Sequence, residues 1–375
     1  MDHDQIARLA RRADLADVWD DVAAGGRLSQ SQAERLLASP DLLALGAMAD
    51  VVRSRAVGDD VYFICNRHIN HTNVCSNRCL FCAFSRDEGE VDAYTLSVDE
   101  VLDKARENLG AGITELHIVG GEHPTLPYEY YLEMLRGLRE LAPEVHIQAF
   151  TASEIAHLAD ISGKDVSTVL AELKDAGLGS LPGGGAEVFA ARVRDLVCNK
   201  KISGERWLEI MRAAHELDIK SNATMLYGHR ETLAERADHL VRLRALQDET
   251  GGFNAFIPLA FHPENTELAD LPATSGFEDL RVLAAARLVL DNFRHIKAFW
   301  IMTGLKLAQV SLAFGVDDID GTVVEEKITH SAGATTAEAV TREELVRLIR
   351  NAGRVPVERD TLYNVVRRFD DGAAA

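Results

Sequence analysis

The chain has 375 residues, 47% hydrophobic and 26% charged, which excludes the disordered, collagen-like and disulfide-stapled classes. Its 40 Lys and Arg stand against 59 Asp and Glu, a formal charge of −19, so the basic footprint demanded by nucleic acid or an anionic membrane is missing. The residues from Met1 to Gln5 carry no basic or apolar leader pattern, and no run reaches about 18 apolar residues, so a cytoplasmic protein is expected.

Residues 1–57 show helical periodicity without strand runs, with a capping box read at Ser31 to Glu34 ahead of Leu36 and Leu37. From Val61 the texture changes to short β-branched and aromatic runs, each followed by a turn and an amphipathic stretch. Strands are predicted over Val61–Asn66, Glu115–Val119, Val145–Phe150, Gly179–Leu181, Ile219–Leu226, Phe253–Leu259 and Ile296–Ile301. Helices are predicted over Val98–Leu109, Tyr128–Leu141, Val166–Ala176, Gly204–Glu216, Leu233–Gln247 and Gly276–Asn292. Repeated strand then helix implies a parallel sheet, favouring an α/β fold built as a (β/α) barrel, complete or partial. The expected division is a helical preamble over 1–57, a barrel over 58–307 and a helical extension over 308–375, the last containing a helix capped at Thr341 and the tail from Asp371. The acidic run from Asp317 to Glu326, with Asp317, Asp318 and Asp320 ahead of Gly321, reads as a turn closing the barrel rather than a site for a hard cation.

Five cysteines are present, and Cys75, Cys79 and Cys82 fall in one loop while Cys65 and Cys198 stand apart. That distribution suggests ligands and not disulfides. Three closely spaced thiolates suit three corners of a cubane iron–sulfur cluster and leave the fourth iron open. A zinc site, with His68 or His71 as the fourth ligand, is the alternative; it would make the protein a zinc-stabilised module without catalysis. Gly120-Gly121-Glu122 ends the Glu115 strand and Leu226 ends a later one, each also readable as a plain strand exit.

The spacing Cys75-x-x-x-Cys79-x-x-Cys82, with Phe81 before the last cysteine, is similar to the signature of the radical S-adenosylmethionine (SAM) superfamily. More narrowly, Leu181-Pro-Gly-Gly-Gly-Ala-Glu187 and Phe261-His-Pro-Glu-Asn-Thr266, with His68 to Cys75 and Gly120 to Pro124, resemble the aminofutalosine synthase family of the futalosine route to menaquinone. One departure is His71, where that pattern has Tyr. The sister families are the cyclic dehypoxanthinyl futalosine synthases and the synthases of the deazaflavin chromophore of coenzyme F420.

The resemblance implies a radical SAM barrel in which Cys75, Cys79 and Cys82 hold a [4Fe-4S] cluster. It implies that Phe81, Gly120, Gly121, Glu122 and Leu226 contact SAM, Gly121 through a close backbone approach that Gly121→Val blocks while sparing the cluster. The implied reaction adds the 5′-deoxyadenosyl radical to 3-[(1-carboxyvinyl)oxy]benzoate, migrates the aryl group, loses a carboxylate as bicarbonate and yields 6-amino-6-deoxyfutalosine, consuming SAM. A low-potential donor such as flavodoxin or ferredoxin is implied. Two substrate carboxylates need polar partners near the strand ends, and the candidates are His262 and His68 first, then His123, His229 and Arg230. Glu187 is a candidate for ribose hydroxyls or proton handling, while Phe256 and Phe261 are expected to form a dry wall.

Overall fold

The computed structural model describes residues 2–370, and the tail from Asp371 lies outside them. Four helices open the chain: α1 (His3–Arg12), α2 (Ala16–Ala23), α3 (Gln30–Ala38) and α4 (Leu42–Val57). The α3 capping box uses Ser29 and Gln32, two residues ahead of the one read from the sequence, because Ser29 takes the extended backbone that an N-cap needs. Apolar faces of α3 and α4 pack on later helices, and Arg27 bridges Asp248 and Asp291, so the preamble is bound to the barrel.

The single strand expected over 61–66 is two, β1 (Asp60–Ile64) and β2 (Asn66–Ile69). Then come α5 (Val98–Leu109), β3 (Glu115–Ile118), α6 (Tyr128–Leu141), β4 (His146–Ala149), α7 (Ala152–Ser162), α8 (Val166–Ala176) and β5 (Ser180–Leu181). They are followed by α9 (Ala191–Val197), α10 (Gly204–Glu216), β6 (Lys220–Tyr227), α11 (Leu233–Thr250), β7 (Phe253–Ala260), α12 (Gly276–Val289) and β8 (His295–Ile296). Strands β2 to β8 form one seven-stranded parallel sheet in sequence order. Its registers set side chains in layers: His68 stands beside His117 and His117 beside Gln148, one residue pair inward from the carboxyl ends. The run expected as a strand to Ile301 pairs with β7 only at His295–Ile296, and past the lone bridge at Lys297 Trp300 opens the short helix α13 (Trp300–Thr303) and donates its indole N–H to the Gly321 carbonyl.

After α14 (Leu305–Ser311), the acidic run is a buried strand, β9 (Asp318–Gly321), and not a turn. Each carboxylate already has its cation or donor. Asp317 takes Arg287 and His295, Asp318 takes Arg359 at 2.6 Å and the Tyr363 hydroxyl at 2.8 Å, and Asp320 takes Lys297 at 2.8 Å. This stretch spans the gap between the sheet's two edges, with Lys297 bridging Asp318 on one side and Arg67 bridging Val324 on the other. A helical turn α15 (Ile328–Ser331), helix α16 (Arg342–Asn351) and strands β10 (Val355–Arg359) and β11 (Val365–Arg368) complete the chain. β11, β10, β1 and β9 form a second, small sheet on the barrel's flank. No helix among the described residues is long and apolar enough to cross a membrane.

Candidate active site

The cysteine loop follows β2 and is fixed by backbone hydrogen bonds. Cys75 N–H donates to Arg86 O at 3.0 Å, Ser76 N–H to Glu122 O at 3.0 Å, Gly121 N–H to Thr72 O at 2.9 Å and Leu80 N–H to Val197 O at 2.9 Å. Arg78, between the first two cysteines, takes the left-handed backbone at φ 46° and caps the loop by donating to Ser85 O. All three thiols are unpaired and line one cavity of about 310 Å³ at the carboxyl ends of the strands, where such a barrel places its chemistry.

The alternative zinc site fails on its fourth ligand. His71 is fully buried among Tyr130, Tyr131 and Phe150, with both ring nitrogens unpartnered and burial pushing it down to about 4. His68 lies in the strand layer, stacked on His117 with centroids 4.4 Å apart. Among the described residues no His, Cys, Asp and Glu set is grouped for a single ion. Three free thiols spread along one cavity wall fit the corners of a cubane instead, because its ligands bind separate irons.

Gly120, Gly121 and Glu122 line the cavity, but the glycines have a packing reason of their own. A Cβ at Gly121 would stand 2.1 Å from the Val74 carbonyl oxygen and 3.0 Å from Cys75 Cβ, and one at Gly120 would stand 2.5 Å from the His71 ring. The expectation that Gly121→Val spares the cluster is therefore corrected: the added atoms strike the cysteine loop. Glu122 accepts from the Ser153 hydroxyl. Glu154 was not singled out from the sequence; it lines the cavity, accepts Gly120 N–H at 3.0 Å and Thr151 N–H at 2.7 Å, and burial pushes its carboxyl up to about 7.

Phe81, Leu226, Glu187, His68 and His262 also line the cavity. Glu187 is held by Lys201 at 2.7 Å, and the Lys201 ammonium lies 5.6 Å from the Phe81 ring centroid. Burial works against its charge, yet Lys201 and Arg194 keep the Glu187 carboxyl below its ordinary range. The ring nitrogen Nε2 of His262 donates to Met302 O at 3.0 Å. His123, His229 and Arg230 are not in the lining: His123 accepts backbone N–H groups of its own turn, His229 binds Leu226 O, and Arg230 pairs with Asp270 at the surface. Phe261 faces the cavity while Phe256 packs away from it against Phe293, as the alternation of a strand dictates.

Lys297 and His117 in the strand layer, and Ile328 and Thr329, which cover one side with Glu326, are cavity residues that the sequence does not single out, and Asp320, read there as part of a turn, joins the strand layer. A lone Lys in the apolar run Ile296 to Ile301 was the available signal, since an unpaired charge in such a run is costly. The cover is tied down by His330, which bonds Glu326 and the Thr336 carbonyl, and by Asn265 donating to Ser331 O.

Comparison with known proteins decides the family. Residues 69–243 match the radical SAM superfamily and residues 250–371 match the CofH/MqnC C-terminal region. Over 360 residues the chain is 49% identical to an aminodeoxyfutalosine synthase of Thermus thermophilus, covering 95% of this chain and 97% of that one. An aminodeoxyfutalosine synthase of Streptomyces coelicolor is 46% identical, with 93% of each chain covered. The chain belongs to this family of radical SAM enzymes. A 5-amino-6-(D-ribitylamino)uracil–L-tyrosine 4-hydroxyphenyl transferase of Methanopyrus kandleri is 44% identical over 86% of this chain and 88% of that one. The fold is shared with methylornithine synthase at a TM-score of 0.71 and 19% identity, over 90% of this chain and 97% of that one. Enzymes of the superfamily use a [4Fe-4S] cluster and SAM, and the three thiols described above are the residues that fit the cluster.

Proposed function

We propose that this enzyme is an aminodeoxyfutalosine synthase that joins the adenosyl group of SAM to 3-[(1-carboxyvinyl)oxy]benzoate, with loss of one carboxylate as bicarbonate. The observation that carries the reading is one cavity that joins three free thiols, on its rim, to a buried polar layer, His68, His117 and Lys297, at its floor. When bound, the cluster and SAM supply the 5′-deoxyadenosyl radical.

The chain's own residues do the rest by placement. Cys75, Cys79 and Cys82 hold the cluster at the rim, while Gly120 to Glu122, Phe81 and Leu226 contact SAM beside it. The apolar wall of Ile257, Leu259, Phe261 and Met302 excludes water, so the alkene is the nearest reactive carbon. His262, fixed by Met302 O, orients the enolpyruvyl end, and Glu187 with Lys201 forms a neutralised pair beside the cluster loop. Reduction comes from a low-potential donor of the flavodoxin or ferredoxin kind, in the reducing cytoplasm that free thiols require.

The test is an anaerobic incubation with SAM, reductant and the enolpyruvyl benzoate, followed by mass analysis of the nucleosides. An adenosine-containing adduct, 6-amino-6-deoxyfutalosine, is expected as the main product. Chiefly 5′-deoxyadenosine from this substrate, with efficient turnover of dehypoxanthinyl futalosine, would move the enzyme to the cyclising sister family.

A further inference from the structure

The floor of the cavity holds a cation whose bonding capacity is only partly used. Lys297 directly follows β8 and its side chain is 8% exposed. Its ammonium donates to Asp320 Oδ1 at 2.8 Å, and Asp320 is equally buried. An ammonium carries three N–H donors, so two remain without an acceptor among the described residues while the side chain lines the cavity. The ring of His68 makes no hydrogen bond among the described residues and lines the same space, stacked on His117. His117 is fixed in turn, Nδ1 to Gln148 Oε1 at 3.1 Å.

Two carboxylates also face this floor. Asp320 is engaged by Lys297, and Glu115 accepts from Asn66 Nδ2 at 3.2 Å and lies 3.9 Å from His117 Nδ1. The free donors therefore belong to Lys297 and His68. A buried ammonium with two spare N–H donors, beside an imidazole that offers one more, is built for an anion's oxygens.

The position selects which anion. The reacting alkene must stand at the rim, beside the cysteines and Gly120 to Glu122, and the enolpyruvyl carboxylate is attached to that alkene. The benzoate carboxylate projects from the other side of the ring, toward the strand layer. We propose that Lys297, held by Asp320 and flanked by His68, binds the ring carboxylate of the aryl substrate and so makes the enzyme select a carboxylated ring. The proposal deepens, and rests on, the synthase reading above.

The experiment uses the cluster-loaded enzyme and has two arms. The first measures equilibrium binding of 3-methoxybenzoate against 3-methoxybenzamide, which need no turnover. The second compares kcat/KM for the enolpyruvyl benzoate with that for 2-phenoxyacrylate, which lacks the ring carboxylate. The unmodified enzyme is expected to prefer the carboxylated member of each pair by roughly 10- to 100-fold, the range of charge-assisted hydrogen bonds. In Lys297→Met both preferences should fall to near one. Because that change strands Asp320 unpaired, the double variant Lys297→Met/Asp320→Asn, which removes both charges of the pair, is measured alongside and should give the same collapse. Adduct formation with preferences that neither variant alters would overturn the subsite and leave the synthase reading standing. A wild-type protein that binds amide as well as carboxylate also overturns it. No adduct from the wild type, with a carboxylate preference still lost in both variants, would remove the synthase reading and keep the subsite for another aryl carboxylate.

Discussion

The rim and the floor of the cavity are built by opposite means. The thiols of the rim come from one contiguous stretch after β2, held by backbone hydrogen bonds to its own flank at Arg86, to the turn at Glu122 and to Val197. The floor is assembled from side chains on β2, β3 and β9 and from Lys297 just past β8, and the contact that seals it, Val323 N–H to Asn66 Oδ1, spans 257 positions of sequence. A contiguous device can be recognised by its spacing, whereas an assembled one exists only after folding. The difference also predicts how each fails: the rim through its loop geometry, the floor through single side chains.

The largest expected effect is at the rim. Cys79→Ala should reduce cluster content and adduct formation to background, read by iron and sulfide analysis, whereas Cys198→Ala, which alters a buried thiol outside the cavity lining, should keep both. Next comes Gly121→Val, whose collision with the Val74 carbonyl should cost roughly 1–3 kcal/mol of stability and lower cluster loading along with SAM binding. Thermal unfolding and the cluster spectrum check it, and a fully loaded cluster in this variant would contradict a rim that acts as one unit.

On the wall between rim and floor, His262→Ala removes the bond to Met302 O and should cut adduct yield roughly 10- to 100-fold, raising the share of uncoupled 5′-deoxyadenosine. The smallest effect belongs to the cover. The Glu326 carboxylate raises His330 from its ordinary value to about 9, with burial opposing. A raised histidine contributes stability fully present below about pH 6.5, and that contribution is lost as pH rises through about 9. The protection of residues 326–336 against hydrogen exchange, taken relative to the intrinsic base-catalysed rate, should therefore fall between pH 7 and 9.5, and His330→Gln should flatten that dependence.

The sequence made the barrel legible because its strands and helices alternate with clean periods, and most helix bounds follow from Ser, Thr and Asp caps such as Ser97 and Ser203. The cysteine loop was legible for the same local reason. What stayed hidden is non-local. β8 is two residues long, so the run holding Lys297 reads as an ordinary strand, and β9 reads as a turn because each buried aspartate is neutralised by a partner far away in the chain: Arg287, Arg359 or Lys297. Helices α7 and α9 were also passed over, lying in segments with no strong apolar period.

The position of β9 bears on how the molecule is made. Synthesis delivers strands β2 to β8 by Ile296, yet both edges of that sheet stay open until Asp318 to Val324 arrive and bridge Lys297 to Arg67. At roughly 5–20 residues per second the ribosome leaves those edges exposed for a few seconds, a window in which unpaired strands invite wrong pairing. The cysteine loop is translated long before this closure, so a nascent chain can present its three thiols while the chamber they will face is still unwalled. Maturation of this enzyme thus has a built-in order, in which the last quarter of the chain seals a vessel whose metal-binding rim is already made.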